Sequence, residues 1–219
     1  AGTDGNNLQV STCPNAAAYE EEGATTVNDA STAVGDTVVV TASGAALNVG
    51  DIISFSTTAA TNDYDDGEQY RVTNISTNDV TIVQHPRGTG GLKRALTDGS
   101  NIRRRWKYYD AVDGAPGTST YVSERNGAND EIHVVVIDED GGISGVPGTI
   151  LETFSKLSKA SDAKDPQGND NYYPNVIYTK SQYIYWTKHH ASGSNWGNAA
   201  SGTTFTAVND PTLETMSGG

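Results

Sequence analysis

The sequence predicts a mainly β protein, a small antiparallel β barrel or sandwich module followed by an α+β portion. Three observations carry that expectation. Between Ser31 and Leu96, short β-branched or alternating runs recur with turn residues about every 8–12 positions, the pattern of a small sandwich or barrel. Past Asn129 the character changes: Ile132–Ile137 is an apolar run, read as a strand covered on both faces, and the helix candidates lie beyond it. The composition agrees, because 35% apolar residues and 24 glycines suit a turn-rich β protein better than a helical bundle.

Residues 1–30 read as an irregular N-terminal segment with an acidic patch at Glu20, Glu21 and Glu22. Residues 31–96 form the all-β module. Its strands are expected at Thr37–Thr41, around Ile53–Phe55, at Tyr70–Ile75 and at Val80–Val83, the last following a turn over Ser76–Asp79. The phrase Val-Gly-Asp occurs at Val34–Asp36 and again at Val49–Asp51, placing a turn before each of two strands. Residues 97–128 read as a bridge, and residues 129–219 as the α+β portion. There, Asp138–Gly142 is placed to close a hairpin on Ile132–Ile137. Residues 149–160 have apolar spacing that fits a helix, yet the extended reading is adopted. A helix is expected within Asn171–Lys180, where Pro174 suits a first turn and Tyr173, Val176 and Ile177 share a side. Tyr183–Trp186 reads as a strand, and a short one is expected near Thr203–Val208.

The 219 residues allow one sizeable domain or two small ones. A formal charge of −13 would be repelled by a phosphate backbone, so nucleic acid is not an expected partner. No run approaches the roughly 20 apolar residues that cross a bilayer, and no membrane insertion is expected. Residues 1–20 lack a basic start and an apolar core. Cys13 is the only cysteine, which excludes an internal disulfide and fits a reducing cytoplasm. The start at Ala1 and the stop at Ser217-Gly218-Gly219 are read as those of a fragment.

No catalytic, metal or cofactor site is expected. His85, His133, His189 and His190 stand outside any context that exposes a nucleophile, and His133, inside an apolar strand, reads as a hydrogen-bonded structural residue. The acidic cluster Asp63, Asp65, Asp66 and Glu68 lacks the alternation of a calcium loop and reads as a solvated turn, and Asp138–Gly142 also reads as a turn, since Asp and Gly tolerate a positive φ. Gly88–Lys93 has the wrong spacing for a phosphate loop. The unusual charge feature is Arg103-Arg-Arg-Trp-Lys107, read as a cationic strip that meets the acidic face of a neighbouring copy rather than nucleic acid.

Several phrases then follow in one order over residues 102–219. They are Arg-Arg-Trp-Lys-Tyr at 104–108, Ala-Pro-Gly-Thr-Ser at 115–119, Asn-Asp-Glu-Ile-His at 129–133 and Val-Ile-Asp-Glu-Asp-Gly at 136–141. Gly-Val-Pro-Gly-Thr-Ile-Leu-Glu at 145–152, Leu-Ser-Lys-Ala-Ser-Asp-Ala-Lys at 157–164 and Tyr-Ile-Tyr-Trp at 183–186 complete them. This series resembles the contractile tail sheath proteins of tailed bacteriophages (myophages). The resemblance implies a structural subunit and no enzyme. Such a subunit polymerises around the tail tube and contracts to drive the tube through the host envelope. It implies as partners copies of the chain in a helical or ring-stacked lattice, the tail tube protein and the baseplate. It implies a place in the virion tail, after assembly in the host cytoplasm. Residues 129–219 would be a partial sheath core truncated at its C-terminus, and residues 31–96 an inserted or peripheral domain. The candidates for subunit contact are Arg103, Arg104, Arg105, Trp106, Lys107, Asp138, Glu139 and Asp140. The alternative is an acidic β-rich glycan- or cell-surface-binding module in which Tyr64 and Tyr70 stack on sugars. The sheath core has been likened to a subtilisin fold, but fold likeness confers no activity.

Overall fold

The computed structural model describes residues 7–216. In chain order the strands are β1 (Leu8–Cys13), β2 (Glu20–Thr26), β3 (Val38–Val40), β4 (Ile52–Ala59) and β5 (Tyr70–Ser76), then β6 (Asp79–Gln84), β7 (Ser100–Arg105), β8 (Glu131–Asp138), β9 (Thr149–Ser158) and β10 (Thr212–Thr215). Among the described residues three short α-helices join them: α1 (Ala16–Tyr19), α2 (Thr120–Ser123) and α3 (Tyr173–Lys180). The protein is mainly β, with two antiparallel sheets. The chain divides into two compact units: Glu20–Lys107, and a discontinuous unit of the residues up to Tyr19 and those from Tyr108 onward.

Glu20–Lys107 holds the six-stranded sheet, in the order β2-β7-β4-β5-β6-β3. Its alternating residues point to one core, where Ile53, Phe55, Tyr70, Val72, Ile82 and Ile102 are buried together. The two Val-Gly-Asp phrases form the same turn twice. Asp36 N–H bonds Ala33 O at 3.2 Å and Asp51 N–H bonds Asn48 O at 3.1 Å, with Gly35 and Gly50 at φ of 93° and 99°. Glycine is needed at that third position because a type II turn requires a positive φ. Each aspartate also accepts from the N–H three residues back, at 2.7 Å. No barrel closes: the edge strands β2 and β3 meet only through an isolated bridge beyond their ends, Val27 to Thr41.

The discontinuous unit holds the four-stranded sheet, in the order β10-β1-β8-β9. β8 is central and apolar on both faces, as its run of valines and isoleucines requires. β1 pairs with it from Leu8–Asp138 to Cys13–His133. α3 carries Pro174 in its first turn and buries Tyr173, Val176 and Ile177 against Ile132, Val134 and Leu157.

Four expectations need correction. The described part of residues 1–30 is not irregular, since β1, α1 and β2 lie there, while residues 1–6 fall outside the described residues. Both strands owe their form to distant partners, β8 and β10 for one and β7 for the other. The bridge 97–128 contains β7, which lies inside the six-stranded sheet between β2 and β4, so the β unit is wider than 31–96 at both ends. Tyr183–Trp186 is not a strand. Ser181 Oγ takes the N–H groups of Tyr183 (3.2 Å) and Ile184 (3.0 Å), which starts the segment as a turn, and among the described residues it joins no ladder. Near Thr203–Val208 only an isolated parallel bridge forms, Ala128 to Thr204. Residues 149–158 are extended, as β9.

Candidate functional site

The basic strip turns inward. Arg103 and Arg105 lie on one face of β7 and Arg104 on the other, beside Ile102, in the unit's core. Arg104 is only 1% exposed and donates to Glu21 Oε2 at 3.1 Å across the β2–β7 pair. Arg103 pairs with Asp66 and lies 4.7 Å over the Tyr64 ring, while Arg105 pairs with Glu20 and reaches Asp66 at 3.4 Å. The hydrogen bond from Arg103 holds the Asp66 carboxyl below its usual range. Trp106 is buried, and the Lys107 stem packs over Gly50. The expected exposed strip is therefore replaced by ion pairs within the unit. Nor do Tyr64 and Tyr70 offer stacking faces: Arg103 covers the first, and the second is fully buried with its Oη accepting from Lys93 N.

Asp138, Glu139 and Asp140 fall at the β8–β9 connection of the discontinuous unit. Asp138 is buried and organises the whole loop. It accepts from Gly141 N at 3.1 Å, Ile143 N at 3.1 Å, Ser144 N at 2.6 Å and Ser144 Oγ at 2.7 Å. Burial works against its charge, but the bonds from Ser144, Ile143 and Gly141 outweigh it and keep the carboxyl below its usual pKa. Gly148 N closes the loop on Asp138 O at 2.7 Å, and Gly145 N bonds Gly141 O at 2.8 Å. This tightly bonded loop leaves Ile143 and Val146 exposed at its tip, Val146 by 62%. Asp140 is exposed, and Glu139 takes a bond from Gln9 Nε2 at 2.7 Å.

At the opposite end of the hairpin, three of the ordered phrases meet around one ammonium group. Lys159 is fully buried, and Nζ donates to Pro14 O (2.6 Å), Asn129 O (2.9 Å) and Glu131 O (2.8 Å). All three protons are thereby used. Asp130, also buried, accepts from Ser119 N and Ser119 Oγ at 2.8 and 2.9 Å and from Ser158 Oγ. Burial pulls the Lys159 pKa down to about 8, with Asp130 acting in the other direction. His133 has a structural role too. Between the pairs Ile132–Leu157 and Val134–Phe154, β9 carries one residue more than β8, and Lys156 takes a φ of 52°. His133 Nδ1 accepts the Lys156 N–H at 2.9 Å, a donor such a bulge leaves outside the ladder, and Nε2 donates to Gly114 O at 3.0 Å. Burial lowers its pKa to about 4, so the ring is neutral at pH 7.

The same unit has a cleft of about 820 Å³ on the α3 face of its sheet. Leu8, Val10, Ile132 and Val134 form the floor, and the wall is the segment Tyr183–Ala191 with Trp196. Its aromatic groups are fixed: Trp186 Nε1 donates to Tyr173 Oη at 3.1 Å, and that hydroxyl lies 2.6 Å from His189 Nδ1. Burial raises the Tyr173 pKa and lowers that of His189, so the neutral tyrosine donates to the neutral imidazole. Gly197 permits the close approach of the chain to the His189 ring, since a Cβ there would lie 2.8 Å from Nε2. Lys188, His190 and Glu214 also line the cleft, and Tyr185 is 75% exposed at its rim.

Neither the cleft nor Lys159 was singled out by the sequence reading. The only signals were the density of Tyr, Trp and His over 183–196 and a lysine between Leu157 and Ala160. Among the described residues, no group of three His, Cys, Asp or Glu side chains is placed to hold a metal ion, and no helix is long and apolar enough to cross a membrane. Comparison with protein-family models, curated proteins and solved structures finds no match.

Proposed function

We propose that the protein is a subunit of a contractile phage tail sheath, polymerising around the tail tube and contracting to drive it through the host envelope. One observation supports this above the others. All but the first of the ordered phrases that resemble the sheath family fall in a single discontinuous unit, and the β unit Glu20–Lys107 interrupts it between β1 and the remainder. That is the organisation expected of a core with an inserted peripheral domain. The phrases also have packing roles: they build β8, the ordered hairpin tip and the cage around Lys159.

In this reading no bond is made or broken. The free energy lies in the difference between two packings of the same subunits, about a few kcal/mol per copy for such bistable contacts, summed over the lattice. Negative-stain electron microscopy of the complete gene product is the test. Regular hollow tubes or stacked rings are expected, and a protein that stays monomeric at high concentration with both termini intact overturns the reading.

A further inference from the structure

We infer that the β8–β9 tip of one copy enters the aromatic cleft of the next, so that subunits join head to tail. The inference rests on the self-assembly proposed above and names the two surfaces that meet. The tip comprises ten residues, 139–148, in which at least five hydrogen bonds hold the main chain while Ile143 and Val146 remain in water. A loop ordered in advance loses little entropy on docking, and Ile143 and Val146 give this one an apolar end to bury. The cleft is its counterpart: an apolar floor, an aromatic wall held by the Trp186–Tyr173–His189 bonds, and room for a loop rather than one side chain. The tip is not among the residues that line its own cleft, so it is available to another copy.

Charge selects the occupant. The tip carries Glu139 and exposed Asp140, and the cleft presents Lys188 on the Tyr183–Ala191 wall. Glu214, on β10, is the like charge in the cleft, so the acidic shoulder of the tip is directed to the Lys188 wall. Because the two surfaces differ, the contact is heterologous and repeats from copy to copy into a ring or a helix.

The test is sedimentation velocity at low ionic strength together with electron microscopy, on the full chain and on variants at exposed positions whose folding is checked by circular dichroism. Val146→Asp puts an unpaired carboxylate into the apolar floor and weakens association about a hundredfold or more. Lys188→Glu and Asp140→Lys each weaken it about tenfold, and the double variant regains most of the loss. If the wild type forms tubes or rings and these variants do the same unchanged, the inference falls and the sheath reading stands. If the variants dissolve wild-type assemblies that are chains without a hollow lumen, the inference stands and the sheath reading falls. A double variant no better than the singles overturns the pairing and the inference with it. So do variants that alter only binding to an oligosaccharide array, because a sugar is then the occupant. A monomeric wild type overturns both.

Discussion

Replacing Lys159 by methionine removes one ammonium and keeps its aliphatic stem, which isolates the role of the buried charge. Three main-chain carbonyls at 2.6, 2.9 and 2.8 Å lose their donor, and the Asp130 carboxylate loses the nearest buried cation. A buried group left without its partner costs ~1–3 kcal/mol, and removing one member of a buried pair ~3–5 kcal/mol. These overlap, so the expected loss is ~3–5 kcal/mol, a large share of the ~5–15 kcal/mol that holds a domain together. Urea unfolding followed by tryptophan fluorescence measures it, since Nζ lies 5.1 Å from the Trp196 ring. The midpoint should fall with the slope unchanged. A second arm uses pH. The unfolded chain holds the lysine proton up to its ordinary pKa near 10.5, whereas the folded protein releases it at about 8. Between these values the unfolded state binds more protons, so stability rises with pH, and the gain is absent below pH 8. Lys159→Met must lose that part of the slope. Hydrogen bonds and charge thus act in opposite senses: the three donors stabilise, the desolvated charge costs. A loss below about 1 kcal/mol at pH 7, or an unchanged alkaline slope, would refute the reasoning.

His133 gives the corresponding acid-side prediction. Unfolded histidine takes a proton near pH 6.5, but the buried ring resists until about 4, so its contribution is complete above 6.5 and is lost as pH falls toward 4. Imidazole nitrogen NMR should show a neutral ring protonated on Nε2 at pH 5.5, and an imidazolium signal there would contradict the bulge-capping role. Arg104 and Glu21 form an asymmetric pair, one buried and the other about half exposed. Glu21→Ala leaves a buried guanidinium short of its anion, whereas Arg104→Met leaves a carboxylate that can rehydrate. Chemical denaturation should therefore rank Glu21→Ala as the more damaging, and the reverse order would contradict the inward reading of the basic strip.

Local chemistry made part of this structure legible. Strands β3 to β6 follow from β-branched alternation between turns, the Val-Gly-Asp phrases read directly as turns, and Pro174 marks the start of α3. What was not legible depends on partners far away in sequence. β2 begins Glu-Glu-Glu, which reads as solvated chain until Arg104 and Arg105 are placed beside it about 85 positions later. Tyr183–Trp186 shows the reverse failure, because strong strand propensity yields no strand where Ser181 Oγ takes the first N–H groups and the segment joins no ladder. The cleft was invisible for a related reason: its floor comes from β1 and β8 and its wall from residues 183–191, three segments with no shared local pattern.

Short polar phrases such as Asn-Asp-Glu and Ser-Lys resemble catalytic motifs because both uses demand particular atoms in particular places. The directions of the hydrogen bonds separate them. The Lys159 donors end on main-chain carbonyls, and the Asp130 carboxylate accepts from Ser119 and Ser158, so these groups hold chain segments together. They hold them at a useful place. β8 runs from Glu131, beside the cage, to Asp138, which anchors the tip, a span of roughly 25 Å at strand spacing. Paired on one side with β1 and on the other with β9, it is the inner strand of a stiff ladder with a fixed knot at each end. A force delivered to the tip by a neighbouring subunit would travel along that ladder to the Lys159 cage instead of being absorbed in a soft loop. If the proposed mechanical work is performed, the order at Asp138 and Lys159 is of one kind: the first would fix where load enters the unit, and the second what the loaded strands pull against.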